Sequence, residues 1–437
     1  MSDSGAPSWR NWSGSVTATP ARIVRPRTVA EVSDEVRRAI ADNLSVKAVG
    51  AGHSFTDIAS TRGVLVSLDR LTGIVRADRA TGLVTVAGGT TLAELNIALW
   101  KMGLSLSNLG DIDAQTISGA ISTGTHGTGR AFGGLATQVR GLQLVTADGE
   151  LLECSVEQHP EVFAAARVGL GALGIVTAVT LQCEPAYLLH AVERPADYDD
   201  LLEVLSVLEG SDHFEFYWFP HTRRVLTKTN ARVPAEAEAR PLGRLKGWLD
   251  DEFLANTVFG GLNRLTTARP KLIRGANRLA ARALTGREYV DRSYKVFTSP
   301  RRVLFNEMEY AVPRKALAYV MDEIDSWIKR SEEWVGFPVE VRLAAADNIP
   351  LSMAYGRDTC YVAVHQYHRR AHENYFLAVE SIARTVDGRP HWGKLHYRSA
   401  DDLAPLYPRF ADFGRLRDRL DPERRFGNDY LRRVLGS

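Results

Sequence analysis

Four positions carry most of the chemistry this sequence can offer. His53 follows a glycine-flanked turn in "KAVGAGHSFTDIAS", with an apolar, strand-like stretch running into it. A neutral imidazole there is a competent nucleophile, and the small residues around it let a ligand lie against the backbone. "VEVR" sets Glu340 and Arg342 two residues apart. On a strand both project to one face, where an acid and a fixed cation can shift each other's charge balance and orient a hydroxyl. Taken by itself, E-x-R on a strand reads as a plain surface pair. "HWGK" adds Lys394, a cation able to bond a ligand oxygen. His365, in "VAVHQYHR", alternates with apolar residues and suits either a pocket-facing or an inward structural histidine. His391 precedes Trp392 and can simply support it.

Two glycine patterns compete as phosphate sites. Gly169, Gly171 and Gly174 form a literal G-x-G-x-x-G in "VGLGALGIVTAVTLQ". A dinucleotide fingerprint needs a strand before the glycines and a helix after them, so that phosphate meets a helix N-terminus. Here helix-like "PEVFAAARVGL" comes first and strand-like "GIVTAVTLQ" follows, so the polarity is reversed. "TISGAISTGTHGTGRAFGG" is the stronger cluster. Its glycines expose main-chain N–H groups, hydroxyls from Thr116 to Thr128 add hydrogen bonds, and a diphosphate can sit in such a nest without a helix dipole. Ile117, Ala120 and Ile121 favour an ordered, buried segment over a loose loop. His126, inside the cluster, reads as a turn or packing histidine.

The elements that must position these groups follow from periodicity. Val29, Val32, Val36 and Ile40 predict a helix after a short strand and a proline turn. A strand covers 46–49, three short strands follow, and a helix starts at the Thr90/Thr91 cap. "FEFYWFPH" reads as an alternating aromatic strand, and "RKALAYVMDEIDSWIKR" as a helix. Residues 230–300 are less regular and arginine-rich. Arg274, Arg278 and Arg282, with Ile273, Leu279 and Leu284 between, predict an arginine row beside an apolar face. We read it as the solvated face of a domain helix, with an anionic membrane surface or a redox partner as the alternative. The pattern divides into an α+β domain at 1–183, a second domain at 184–395, and a charged helical segment, 396–437, returning to the first.

With 437 residues the chain can build two domains and a large core. A net charge of +2 calls for no nucleic acid. Cys154, Cys183 and Cys360 share no metal-ligand spacing, and their odd number argues against a disulfide framework, so we expect no metal and a reducing compartment. "MSDSGAPSWRNWSGS" lacks the pattern of a secretory signal. The expectation is a cytoplasmic protein, at most peripheral to a membrane.

"VGAGHSFTDIA", "LSLSNLGDIDAQTISGAISTGTHGTG", "LATQVRGLQLVTADGELLECS", "FAAARVGLGALGIVTAVTLQC", "WFPH", "FPVEVR" and "GRPHWGKLH" occur in this order along nearly the whole chain. They resemble the aldonolactone oxidase branch of the vanillyl-alcohol-oxidase-type flavoproteins. Residues 230–300 match least. The resemblance implies an α+β, two-domain fold: a PCMH-type FAD-binding domain with an α+β substrate domain capping the flavin. His53 is similar to the histidine that bonds the flavin 8α-methyl, so covalent FAD is implied. Val49, Gly50, Ala51, Gly52, His53, Ser54 and Phe55 would hold FAD together with Thr116, Gly119, Thr123, Gly124, Thr125 and His126. Gly174 and Ile175 would supply the backbone position that meets the adenine side.

By the same resemblance Glu340, Arg342 and Lys394 would act on substrate, with Asp111 and His365 beside them. Gly110, a small residue before the flavin loop, leans towards oxygen as electron acceptor, with cytochrome c as the alternative. The implied reaction is oxidation of a sugar-derived secondary alcohol. L-Gulono-1,4-lactone, oxidised next to its carbonyl on the route to ascorbate, is the favoured substrate, and open-chain alditols such as xylitol and sorbitol are the rival. A flavin-binding protein without turnover is the reading from another class, and the joint presence of His53, Glu340, Arg342 and Lys394 speaks against it.

Overall fold

The structure, a computed structural model, describes residues 7–208, 210–243, 259–299 and 303–437. Valine-rich runs near the N-terminus form a small parallel sheet, with Val64–Ser67 between Arg22–Val24 and Val46–Val49. Helix Val29–Ala41 starts where Thr28 accepts a hydrogen bond from the Glu31 N–H. It buries Val32, Val36 and Ala39 against Val46, Val64 and Val66. A five-stranded antiparallel sheet follows, in the order Leu151–Ser155, Val139–Val145, Ile175–Gln182, Leu83–Ala87, Ile74–Asp78. The expected helix at Thr91 is Leu92–Lys101, opened by a reciprocal Thr91–Glu94 capping box.

The third sheet has eight antiparallel strands. We number them in chain order: β1 Tyr187–Asp197, β2 His213–Trp218, β3 Arg224–Pro234, β4 Arg287–Arg292, β5 Phe305–Pro313, β6 Val339–Ala344, β7 Thr359–Tyr367 and β8 Arg389–Pro390. Their spatial order is β4-β1-β3-β2-β6-β7-β5-β8. Alternation gives the central strands two unlike faces. Phe214, Phe216, Met308, Tyr310, Val339, Val341, Val362 and Val364 form one core with Val320 and Ile324 of helix Leu317–Ser331 and with Phe376 of helix Glu373–Arg384. Truncating one of these phenylalanines would cost about 3–5 kcal/mol. The other face carries Glu215, Tyr217, Glu307, Glu309, Glu340, Arg342 and His365.

The glycine cluster is an ordered, buried segment, as Ile117, Ala120 and Ile121 predict: all three are fully buried, and the one change is that the run opens with a short helix, Ile117–Ser122, capped by Thr116. The arginine row does present a solvated face, but the apolar face beside it is only partly buried. The arginine-row helix, Ile273–Ala283, buries Ile273, Asn277 and Ala281, while Leu279 stands 71% exposed. The reason is polar: Asn277 donates to the Pro220 and Val335 carbonyls, which turns Leu279 outward. Arg274 stacks on Trp334, and Arg278 and Arg282 face solvent. The three cysteines are buried free thiols. Among the described residues no helix is long and apolar enough to cross a membrane.

Candidate active site

The turn at 49–54 and the short helix after Thr116 meet in a cleft lined by glycines and hydroxyl side chains from both. Gly50 abuts Thr116 so closely that a Cβ would overlap the threonine Oγ1. Gly52 has a left-handed φ of 71°, which suits glycine. Gly119, Thr123, Gly171 and Gly174 line the wall, with Lys47 at its base. These donors and the bare glycine backbone fit an elongated diphosphate cofactor. Five residues expected at the cofactor do not line this wall. Ile175 belongs to the core with Val32 and Val66, so only its backbone can meet a ligand. Gly124 faces Met353, Thr125 bonds Gln115, Phe55 packs with Phe305, and His126 turns towards Glu309. Gly110 is also off the wall, packed against the His126 carbonyl.

His53 stacks on Trp12, with ring centroids 5.4 Å apart. Burial, and then the charge of Lys394, push its pKa down to about 4, with Asp111 opposing. Its imidazole is therefore neutral at pH 7, with a free nitrogen lone pair. The turn that carries Lys394 is tied to the His53 turn: the Phe55 N–H donates to the Gly393 carbonyl at 2.7 Å, and the Thr56 hydroxyl to the Trp392 carbonyl at 3.4 Å. Lys394 pairs with Glu307 and lies 5.1 Å from the Phe55 ring centroid. Burial alone would lower its pKa, but Glu307 and Glu309 outweigh that, so the ammonium is held charged.

Glu340 and Arg342 are 7% and 8% exposed, which overturns the surface-pair reading. Arg342 is ringed by carboxylates: Nε donates to Glu215 at 2.9 Å, Nη1 to Asp111 at 3.4 Å, and Nη2 pairs with Glu340. Its charge is fixed well beyond the physiological range, because Glu340, Asp111 and Glu215 outweigh the cost of burial. Asp111 thus links the chain beside Gly110 to this strand. Thr128 makes a second link: its hydroxyl accepts from the Leu343 N–H at 3.1 Å and donates to the Phe214 carbonyl.

Behind Lys394 lies a histidine–carboxylate network. His365 reaches Glu307 through Nε2 at 3.5 Å, and its Nδ1 meets the Pro338 carbonyl. His126 stacks on Tyr361 at 3.5 Å and meets Glu309 at 3.1 Å. Burial pushes the Glu309 carboxyl up, but His126 and His391 outweigh it and hold it well below the usual range. His126, Glu309 and His391 place their ligand atoms within 4.8 Å of one another. The hydrogen bonds point to protons rather than a metal. His391 Nδ1 accepts the Gly393 N–H at 3.0 Å, so the neutral ring carries its proton on Nε2 and has no lone pair left to give. His391 shapes the turn that presents Lys394, and burial lowers its pKa to about 3.

The sequence matches the D-arabinono-1,4-lactone oxidase family over residues 179–434 and an FAD-binding domain over residues 20–155. It is 44% identical to L-gulono-1,4-lactone dehydrogenase of Mycobacterium tuberculosis, over 99% of this chain and 100% of that protein. The chain belongs to the aldonolactone oxidase family. L-Gulonolactone oxidase of Bos taurus is 36% identical, over 98% of each chain. Alditol oxidase of a Streptomyces is 33% identical, over 97% of this chain and 98% of that one. Cholesterol oxidase from Brevibacterium sterolicum shares the fold, with a TM-score of 0.78 at 17% identity, over 98% of this chain and 96% of that one. This aldonolactone oxidase family member is therefore an FAD-dependent oxidoreductase of the vanillyl-alcohol-oxidase fold. Sequence reasoning missed Lys47, Glu215, Glu307 and Glu309. Each stands among apolar residues in a strand, in "VKAV", "HFEFYW" and "FNEMEYAVP". A charge at every second position of a strand that is apolar on its other side was the available signal.

Proposed function

We propose that the protein oxidises the ring hydroxyl next to the carbonyl of an aldonolactone, with L-gulono-1,4-lactone the favoured substrate, using FAD attached through His53. The observation that carries the reading is convergence: His53, Asp111, Arg342, Glu340 and Lys394 act on one another electrostatically or through hydrogen bonds. When bound, FAD accepts the hydride at its N5 position. The chain's share is to place the substrate and balance charge. Glu340 and Arg342 hold neighbouring oxygens of the sugar, the Glu340 carboxylate takes the hydroxyl proton, and Arg342 and Lys394 supply the fixed positive charge that favours its loss and an anionic product state. The neutral His53 lone pair supports covalent attachment.

An alditol oxidase is the second reading, favoured by the 33% identity to the Streptomyces enzyme and by a Glu–Arg pair equally suited to adjacent hydroxyls of an open chain. The spectrum of the FAD-loaded protein, taken without oxygen, separates them. Bleaching of the flavin band by L-gulono-1,4-lactone supports the first reading. Bleaching only by xylitol or sorbitol supports the second, and bleaching by neither overturns both. Readmitting air then reads the acceptor. The family resemblance at Gly110, a small residue before the flavin loop, favours oxygen, with cytochrome c as the alternative acceptor. Colourless protein after acid precipitation, with all flavin in the supernatant, overturns the covalent bond to His53.

A further inference from the structure

On the site face of the large sheet, five charged residues of alternating sign stand in register across five adjacent strands. Arg287 of β4 is opposite Glu193 of β1, Glu193 is opposite Lys228 of β3, Lys228 is opposite Glu215 of β2, and Glu215 is opposite Arg342 of β6. Directly opposed side chains on a sheet face are close enough to interact. Arg287 Nε donates to Glu193 at 2.6 Å, Lys228 Nζ lies 3.7 Å from Glu215 Oε1, and Arg342 Nε donates to Glu215 Oε2 at 2.9 Å. Lys228 is further anchored by the Val296 carbonyl at 2.9 Å. Glu193, Glu215 and Arg342 are all buried.

A guanidinium is a rigid planar fork, so fixing one edge fixes where the other points. Glu215 takes the Nε edge of Arg342, and the two Nη groups are left to Asp111 and Glu340. Without Glu215, Arg342 would stand between two carboxylates with its Nε unpaired and could turn to chelate Glu340 with both edges. That would neutralise the acid and withdraw the cation together.

We propose that Glu215 is a positioning residue: it holds Arg342 edge-on so that its Nη groups stay between Asp111 and Glu340, and Lys228 keeps the Glu215 carboxylate in register. Burial pushes the Glu215 carboxyl up, but Arg342 and Lys228 outweigh it and keep it ionised. The role of the oriented Nη edge in turnover rests on the proposed function above; the orientation itself does not.

The test uses FAD-loaded Glu215→Ala, Glu215→Gln, Arg342→Ala and the Glu215→Ala/Arg342→Ala double variant, each checked for flavin content. Two measurements are made. A crystal structure of Glu215→Ala reads the Arg342 rotamer, and the anaerobic rate of flavin reduction is followed with whichever lactone or polyol bleaches the wild type. In the structure we expect the guanidinium to turn onto Glu340. In the kinetics we expect a loss of roughly 10- to 100-fold for Glu215→Ala, the size of one hydrogen bond between charged groups, with partial rescue in Glu215→Gln, whose amide oxygen still accepts from Nε. In the Arg342→Ala background the same change should cost less than about twofold, because the coupled partner is gone. An Arg342 that keeps its orientation in Glu215→Ala overturns the proposal, and so does an undiminished loss in the Arg342→Ala background. A turned Arg342 in a protein that no lactone or polyol reduces would uphold the positioning role and overturn the functional reading instead.

Discussion

A lysine buried beside Phe55 would ordinarily shed its proton, yet Lys394 keeps it because two glutamates of β5 face it. The same logic holds for Arg342 among Asp111, Glu215 and Glu340. Burying ions in this density is costly unless each is paired, so the arrangement is weak as a source of stability and strong as a way of fixing charge. Glu340→Gln, Arg342→Ala and Lys394→Ala should each lower the rate of flavin reduction by about 100-fold or more, the cost of removing one preorganised charge or donor. Flavin content should stay at the wild-type level, since none of the three lines the cleft. Stopped-flow reduction and the ratio of flavin to protein absorbance check both halves. Wild-type rates in all three variants would remove these residues from the site. His53→Ala should separate from them by losing acid-stable flavin.

At the scale of elements, the glycine-rich segment does more than its composition suggests. Thr128 satisfies the Leu343 N–H of β6 and the Phe214 carbonyl of β2, and the Gly129 N–H adds a bond to the Leu343 carbonyl at 2.9 Å. The segment thus fastens the strands that carry Glu215 and Arg342. Thr128→Val keeps the shape but strands two buried main-chain groups, at about 1–3 kcal/mol each. Urea unfolding should report that loss, and an unchanged midpoint would show that the segment docks by packing alone. Local elements were legible in the sequence because each announces itself locally: Thr91 before an apolar run, Val32 and Val36 at helical spacing, glycines around His53. Glu340 and Arg342 were legible as a pair but not as buried, because burial depends on which strands flank β6. Glu215 was hidden for the same reason. In "FEFYWFPH" the aromatic residues announce the core face, and nothing in the string says that the opposite face meets a site. Register between strands separated by more than a hundred residues is set by the whole sheet.

At the scale of the molecule, the C-terminal segment packs beside the cofactor cleft, and that contact gives its own expectation. Asn428 donates to the Asp57, Ile58 and Ser60 carbonyls just after the His53 turn, while its Oδ1 caps helix Asp429–Leu435. Lys47 donates to the Phe426 carbonyl at 3.0 Å. Asn428→Ala removes a helix cap worth about 1 kcal/mol and frees three carbonyls, so thermal stability and flavin retention in dilute denaturant should fall together. Unaltered flavin retention would confine Asn428 to its capping role. Acid should loosen the same molecule for a separate reason. Burial holds His213 neutral, with a pKa of about 4, although the hydrogen bond to the Thr128 carbonyl pulls the other way. His391 is held neutral likewise, near 3. Between these values and the ordinary histidine pKa of about 6.5, the unfolded chain binds protons that the folded chain does not, so stability rises with pH across that window and is lost as pH falls through it. From pH 7 to pH 5 each such histidine should remove about 2 kcal/mol. His213 lies at the start of β2, and its Nδ1 meets the Thr128 carbonyl at 2.8 Å, a bond that an asparagine amide can replace without titrating. His213→Asn should therefore flatten the pH dependence of unfolding by about 2 kcal/mol between pH 7 and 5, whatever its effect at neutral pH. An identical slope in wild type and variant would show that His213 takes up its proton in the folded state as readily as in water.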